Sequence, residues 1–534
     1  MSPVGIQQIN ALPEFDKLVD YLSYYATSRP ESEAMVLDRQ RISYREFADL
    51  VDRSARSLHA RGIRKGDRVA TLSTPRPEFY ISLLATVKIG GIWVGLNPRH
   101  HIDELRYVLT DSRAQILFAL PRFEGRDFVP DLRTLAREVP KGIVTFGEGL
   151  DGLSVDFEDF QREPEGAAKD FQAMCERVKG HDPAIVVYTS GSTGKPKGAV
   201  ITHRGFILAY RTQYEHWGTV PMRILNNLPI NHIGCAGDIC SYALICGGTT
   251  IFLERFNAAN ALKLIERERI STLLGVPTMY LLMVELPDFL QHDLSSLQVI
   301  IWGGAAAPKE LILKLRSSCS ARLYNCYGLT ESVAAVTYTD DDASVEVLAE
   351  TVGRPERRFG FRIVDANGRE VEVGTPGEIC IRGDIVTPGY LNQPEASAEA
   401  IDEEGWLRTG DIGLQRPDGN IHFIGRIKEM FKSGGYNVYP REVEIVIESH
   451  PSVAMAAIVS VPDPLYSEVG HAFVIARQGF AVNEDELRAY CRERLGNYKV
   501  PKRFVLLNEL PMLPVGKIDK QALKKIALQE IAGV

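Results

Sequence analysis

The stretch that decides the reading is Tyr188-Thr-Ser-Gly-Ser-Thr-Gly-Lys-Pro-Lys-Gly-Ala-Val200. It follows Ala184 to Val187, an apolar run that predicts a buried strand. Thr189, Ser190, Gly191, Ser192, Thr193, Gly194, Lys195 and Lys197 then crowd hydroxyls, glycines and ammonium groups into one short segment. Glycine frees the backbone to approach a ligand, so several N–H groups can converge on one anion. Hydroxyls add donors and lysines add charge, and a polyphosphate suits that mixture. The segment is not a P-loop, because Pro196 stands where the hydroxyl after the lysine belongs. Proline also turns Lys195 away from helical backbone, so a loop is expected here. A plain Gly/Ser linker would have no use for Lys-Pro-Lys directly after it.

The chain around this segment has 534 residues, too many for one core, so at least two domains are expected. Apolar residues are 45% and charged residues 24%, an ordinary globular balance. A net charge of −8 without a long basic run argues against nucleic acid and against a polybasic membrane anchor. The eight cysteines contain no C-x-x-C pair, which reads as reduced thiols in a cytoplasm. No signal peptide is evident before Pro13, and Ile-Ala-Gly-Val534 is not a peroxisomal address. The densest apolar run, Ile233 to Leu253, is broken by Asp238 and Gly247-Gly248, so no integral membrane segment is expected.

Periodicity predicts helices over 15–28, 47–61 and 79–89, with strands at 69–72, 114–120 and 299–302. Such alternation implies an α/β fold with largely parallel sheets. From Val352 the texture changes to short strands and Gly/Pro turns, a small β-rich subdomain. The expected division is a large unit over 1–425, a hinge at 426–428 and a smaller α+β unit over 429–534. One decoy, Gly147-Glu-Gly-Leu-Asp-Gly152, fits a dinucleotide fingerprint but runs into Asp156, Glu158 and Asp159, which would repel a pyrophosphate.

Further motifs follow in order. Gly303-Gly304-Ala305-Ala306 comes after an apolar strand. Tyr324-Asn-Cys-Tyr-Gly-Leu-Thr-Glu-Ser332, Thr409-Gly-Asp411, Phe431-Lys-Ser-Gly-Gly-Tyr-Asn-Val438 and Leu510-Pro-Met-Leu-Pro-Val-Gly-Lys517 come after it. Together with the segment at 188–200 these resemble the acyl-adenylate-forming superfamily of acyl-CoA synthetases, carrier-protein adenylation domains and firefly luciferase. The resemblance implies ATP, Mg2+ and coenzyme A as cofactors and a small carboxylic acid as substrate.

By that match the 189–194 segment, including Thr193, binds phosphates with Lys197. Gly304 and Ala305 face the adenine, Asn325 contacts its amine, and Tyr327 stacks on it beside Gly328. Thr330 bonds the α-phosphate and Glu331 holds the metal, although Thr330 read alone is equally a helix N-cap. Asp411 takes both ribose hydroxyls, since a carboxylate is the natural acceptor for a diol, and Arg426 adds a contact. Lys432, Gly434, Gly435 and Tyr436 line a thiol tunnel, Lys428 is the hinge, and Lys517 bridges carboxylate and α-phosphate. His232, Cys235, Gly237 and Gly303 are expected at the acyl pocket, which is predicted to end near Cys235 and Gly237. Asp238 is read as a helix-start residue in preference to a substrate contact.

Two departures from the pattern stand out: Met512-Leu513 before the Gly-Lys, and Ser467 where the family often has glycine. An adenylating module serving a carrier protein in trans, a luciferase-like oxygenase and a non-catalytic binding protein remain rivals. The partners expected are small molecules, with a homodimer left open.

Overall fold

The structure, a computed structural model, describes residues 12–162, 170–189, 195–477, 479–513 and 518–532. Two large sheets carry the first part of the chain. A seven-stranded sheet contains Arg68–Leu72, Ile92–Leu96, Ala114–Ala119 and Pro183–Thr189, and closes on Lys197–Thr202. Its interior pairs are parallel, and only the Pro183–Thr189 and Lys197–Thr202 pair is antiparallel. A nine-stranded sheet carries Arg223–Asn226, Thr249–Phe252, Thr272–Gly275, Val299–Gly303 and Arg322–Gly328 as parallel neighbours. Strands such as Val299-Ile-Ile-Trp302 are continuous apolar runs because helices cover both faces, and Trp302 is fully buried.

The expected helices are present with shifted ends, at Leu18–Ser28, Tyr44–Ala60 and Pro77–Lys88. Ser43 caps the second by accepting from Glu46 N–H, and Gly90 at φ +76° follows the third. A four-stranded antiparallel sheet over Gly360–Val364, Gly377–Arg382, Leu407–Gln415 and Ile421–Arg426 forms the β-rich subdomain.

Beyond Phe431 a separate sheet of Tyr436–Val438, Phe431–Ser433, Ser467–Ala476, Val453–Asp463 and Arg503–Leu506 packs with three helices. Its apolar clusters are built from residues 431–527 alone. Between the two bodies, Ile427–Glu429 makes one short helical turn. Lys520 Nζ reaches back to Glu429 at 2.7 Å, and Tyr439 packs over Gly425. The decoy at 147–152 leads only into a short strand and a four-residue helix.

Candidate active site

The deciding segment is flanked by two paired antiparallel strands. Tyr188 and Thr189 continue the strand, and Thr189 pairs with Lys197 across an antiparallel register. Ser190, Gly191, Ser192, Thr193 and Gly194 lie outside the described residues. What the structure shows is where the strand pair ends: against Glu331. Tyr390 OH donates to Glu331 Oε1 at 2.9 Å, and Thr189 Oγ1 stands 3.4 Å from the same oxygen. Lys197 Nζ lies 5.3 Å from the centre of the Tyr390 ring. Burial, then the Glu331 charge, push the Tyr390 hydroxyl well above its ordinary pKa, so it remains a donor.

Tyr390 has no part in the sequence reading. Its segment is stitched to the strand Lys197–Thr202 by Val200 N–H to Gly389 O and by Leu391 N–H to Gly198 O. Thr387 N–H also donates to Glu331 O at 2.7 Å. The only local sign was an aromatic residue after Pro388-Gly389.

Thr330 is not the cap of an α-helix. Residues 330–332 form a single turn, followed by Val333 at φ +63°, ψ −49°. Ala334 N–H closes on Ser332 O at 2.6 Å, a three-residue turn that a β-branched residue rarely adopts. Such strain beside the Thr330-Glu331 pair is typical of a site whose surroundings over-determine it.

The second constellation centres on Asp411, almost fully buried on the strand Leu407–Gln415. Tyr327 OH donates to Asp411 Oδ2 at 2.8 Å, and Arg426 Nε lies 3.3 Å from Oδ1. Sheet register explains the second contact, since Asp411 and Arg426 face each other on neighbouring strands. Asn325 is nearly inaccessible, and its Nδ2 donates to Leu348 O at 3.2 Å and to Thr351 O at 2.7 Å. Both amide hydrogens are thereby committed to the backbone, so only Oδ1 remains to accept from an amine. Gly304, at φ +74°, and Ala305 are exposed at the end of their strand. Gly328 is required for packing, because a Cβ there would sit 2.1 Å from Ala334 O.

His232 precedes an uncommon element. Gly234–Ser241 is a π-helix running into the α-helix Tyr242–Cys246, and wide turns of this kind cluster at functional sites. Two expectations change here. Gly237 does not border open space, since a Cβ on it would meet Tyr210 Oη at 2.0 Å. Cys235 is fully buried. Asp238 does not begin a helix but sits in the middle of one, accepting from Gln213 Nε2 at 3.2 Å. Burial pushes its carboxyl up to about 7 against the lowering effect of Gln213. Gly303 faces Cys326, with 3.1 Å from its missing Cβ to Sγ.

In the C-terminal body, Ser433-Gly-Gly-Tyr436 is a tight hairpin with Gly434 at φ +58° and Gly435 at φ +87°. Two successive positive φ values explain the glycine pair. Lys432, Gly434, Gly435 and Tyr436 are all exposed, and Tyr436 stacks on Tyr498 at 4.6 Å. By contrast Asn508–Leu510, Met512 and Leu513 face the large body across a cavity of about 910 Å³ shared with Asn97, Pro229 and Met279. Lys517 follows that segment and lies outside the described residues, while Lys428 is exposed on the connecting turn. Among the described residues no cluster of three or more metal-ligating side chains occurs, and no helix is long and apolar enough to cross a membrane.

Comparison with known proteins gives the same picture at full length. The model of the AMP-binding enzyme family matches residues 22–391, and that of its C-terminal domain matches 442–517. A feruloyl-CoA synthase of Amycolatopsis sp is 32% identical over 510 residues, covering 94% of this chain and 97% of that protein. An indoleacetate–CoA ligase of Aromatoleum aromaticum is 32% identical over 521 residues, covering 96% and 99%. Among solved structures, the anthranilate CoA ligase AuaEII in complex with anthranoyl-AMP superposes with a TM-score of 0.87 at 26% identity, over 98% of this chain and 99% of that one. The chain therefore belongs to the AMP-binding enzymes of the acyl-adenylate-forming superfamily.

Proposed function

We propose that this AMP-forming acid–thiol ligase works in two half-reactions over one site, with Asp411 and Glu331 as its fixed points. In the first, a carboxylate oxygen attacks the α-phosphorus of ATP, and the bond to pyrophosphate breaks. In the second, the thiol of coenzyme A attacks the acyl carbonyl, and AMP leaves. The observation that carries the reading is the convergence of Glu331, Tyr390 and Lys197 at the end of that strand pair, with Asp411, Tyr327 and Arg426 held together as a second cluster.

Asp411, steered by the Tyr327 hydroxyl, accepts the ribose hydroxyls, and Arg426 sits at the edge of that contact. Lys197, Thr193 and the rest of the 189–194 segment offset the repulsion between two anionic reactants. Thr330 follows the phosphoryl oxygen, and Lys517 bridges the two reacting groups. Glu331 is the residue that would hold Mg2+. It forms no ion pair among the described residues, and a single carboxylate beside phosphate oxygens suits this cation. When bound, the cation supplies charge neutralisation on the phosphates.

The hinge is assigned to 426–428, with the bodies 1–425 and 429–534 turning about Lys428 between half-reactions. In the arrangement described, the 508–513 segment faces the large body and the 432–436 hairpin points to solvent, which suits the first half-reaction. An aryl acid is the favoured substrate, since relatives named for feruloyl, indoleacetate and anthranilate chemistry recur. Eight unpaired cysteines suit a cytoplasmic setting.

The test is carboxylate-dependent ATP–pyrophosphate exchange over aryl, aliphatic and dicarboxylic acids, followed by thioester formation on adding coenzyme A. Absence of exchange with every acid overturns the ligase reading. Exchange without a coenzyme A thioester moves the acceptor to a carrier protein.

A further inference from the structure

Glu378 is a buried carboxylate to which the two half-reactions give no part. It lies on the strand Gly377–Arg382, and only 8% of the residue is exposed. A carboxylate so buried needs partners. Those shown for Glu378 come from one short stretch of the neighbouring strand. Its Oε2 accepts from Arg408 Nε at 2.9 Å and from Arg408 Nη2 at 2.6 Å, while Oε1 accepts from Gly410 N–H at 3.0 Å. That stretch is Arg408-Thr-Gly-Asp411, and it ends on the aspartate of the second cluster.

Register explains why the carboxylate is aimed there. Glu378 pairs with Ile412 and Cys380 pairs with Arg408, so Thr409, Gly410 and Asp411 stand opposite Ile379 alone. Such a bulge re-aims a side chain and takes backbone groups out of the ladder. Neighbouring side chains answer those groups. Thr409 Oγ1 donates to Ile379 O at 2.7 Å and accepts from Asp411 N–H at 3.1 Å. Gly410 stands at φ +72°, and a Cβ on it would meet nothing within 4 Å, so glycine serves the backbone here and not the packing. Its N–H is the one that Glu378 takes. Beyond the bulge Asp411 pairs with Arg426 and receives the Tyr327 hydroxyl. Glu378 therefore fixes the amide one residue before Asp411, and half-exposed Arg408 holds Glu378 in turn. A buried ion pair is weak evidence of a stabilising role, because apolar residues of similar volume often serve as well. What distinguishes this pair is its aim at the bulge.

We propose that Glu378 is a positioning residue for Asp411. Through Gly410 N–H it sets where the Asp411 carboxylate meets the ribose hydroxyls, and so sets the preference for a ribonucleotide over a deoxyribonucleotide. This rests on the ribose role given to Asp411 above.

The experiment measures dissociation constants of AMP, 2′-deoxy-AMP and 3′-deoxy-AMP by calorimetry. Wild type is expected to bind at least one deoxynucleotide about 10- to 100-fold more weakly than AMP, the scale of one hydrogen bond to a charged acceptor. Glu378→Met removes both interactions at similar volume and should bring that ratio below about threefold. The fall should come from weaker AMP binding, with the deoxynucleotides bound as before. A general loss of structure would weaken all three alike. Glu378→Gln keeps an acceptor for Gly410 N–H and should retain most of the preference. Arg408→Met leaves Glu378 unanchored and should lower the ratio by a smaller factor, and it decides the matter if Glu378→Met does not fold. An unchanged ratio in Glu378→Met, or equal weakening of all three nucleotides, overturns the assignment. So does an unchanged ratio in Arg408→Met where that variant stands alone. A wild-type ratio near one removes the ribose role of Asp411 and this proposal with it, and leaves the ligase reading intact.

Discussion

The clusters around Glu331 and Asp411 in the large body and the exposed edge of the C-terminal body are built on opposite plans. In the first, the carboxylates are held from several sides. Asp411 is gripped by Tyr327 and Arg426, and Glu331 is fixed through its carboxylate by Tyr390 and through its backbone by Thr387. In the second, Lys432 to Tyr436 stand on an exposed two-stranded hairpin, and the 508–513 segment borders an open cavity. Preorganised groups stabilise charge without reorganising during reaction, which suits residues needed in both steps. Residues needed in only one step must be able to leave, and an exposed hairpin on a separately packed body can do so.

The contrast can be broken most severely at Lys517. Lys517→Ala should lower adenylate formation by about 100- to 1,000-fold, on the scale of losing one charge-stabilising donor. Thioester formation from supplied acyl-adenylate should be largely spared. Equal loss in both assays would show that the C-terminal body does not divide its residues between the two steps.

Next in size is Lys428→Pro. The residue lies on the short turn Ile427–Glu429, whose helical backbone resembles the φ near −65° that proline imposes. Proline should therefore hold the bodies in the arrangement described here. Rapid-quench assays are expected to show bound acyl-AMP at near wild-type burst, with steady-state thioester output down by about tenfold or more. A parallel fall in both, or in neither, removes the hinge from the connecting turn.

Within the large body, Asp411→Asn should cost about 1–3 kcal/mol in kcat/KM for ATP, the range for weakening a charged acceptor. Tyr327→Phe should cost about 1 kcal/mol, since it removes a neutral donor and leaves the carboxylate. If Tyr327→Phe proves the more damaging, the hydroxyl does more than steer Asp411.

The smallest effect expected is a gain. Ser467 holds φ +71° at the turn after Asp463, whose carboxylate accepts from Leu465 and Tyr466 N–H. An L-residue pays for left-handed backbone, and glycine does not. Ser467→Gly should raise the stability of the C-terminal body by up to about 1 kcal/mol, read as a higher denaturation midpoint. A decrease would mean that the serine side chain contributes more than the backbone strain removes.

The Ser467 position also shows how much the sequence held. Its departure from the family pattern was legible, but not that the cause is a left-handed residue, because φ has no signature when the usual glycine is missing. Likewise Gly434-Gly435 was legible as a backbone feature, and the hairpin register supplied the reason.

What the sequence determined by itself is the α/β class, the order of motifs and the chemical kinds of residue at 189–197, 325–331, 411 and 426. Those follow from periodicity and short-range spacing, which a linear reading preserves. Only the tertiary structure decided which distant residues meet. Tyr390 reaches Glu331 across 59 positions because its segment adds to the edge of the strand Lys197–Thr202. Tyr327 reaches Asp411 across 84 positions, joining a strand of the large parallel sheet to a strand of the small antiparallel one. Asp238 changed meaning for the same reason: locally it reads as a helix-start residue, and only packing against Gln213 and Tyr210 shows a buried carboxyl in the middle of a π-helix. Local sequence fixes what a residue can do, whereas burial and partners come from chain closure over tens of residues, and those decide what it does.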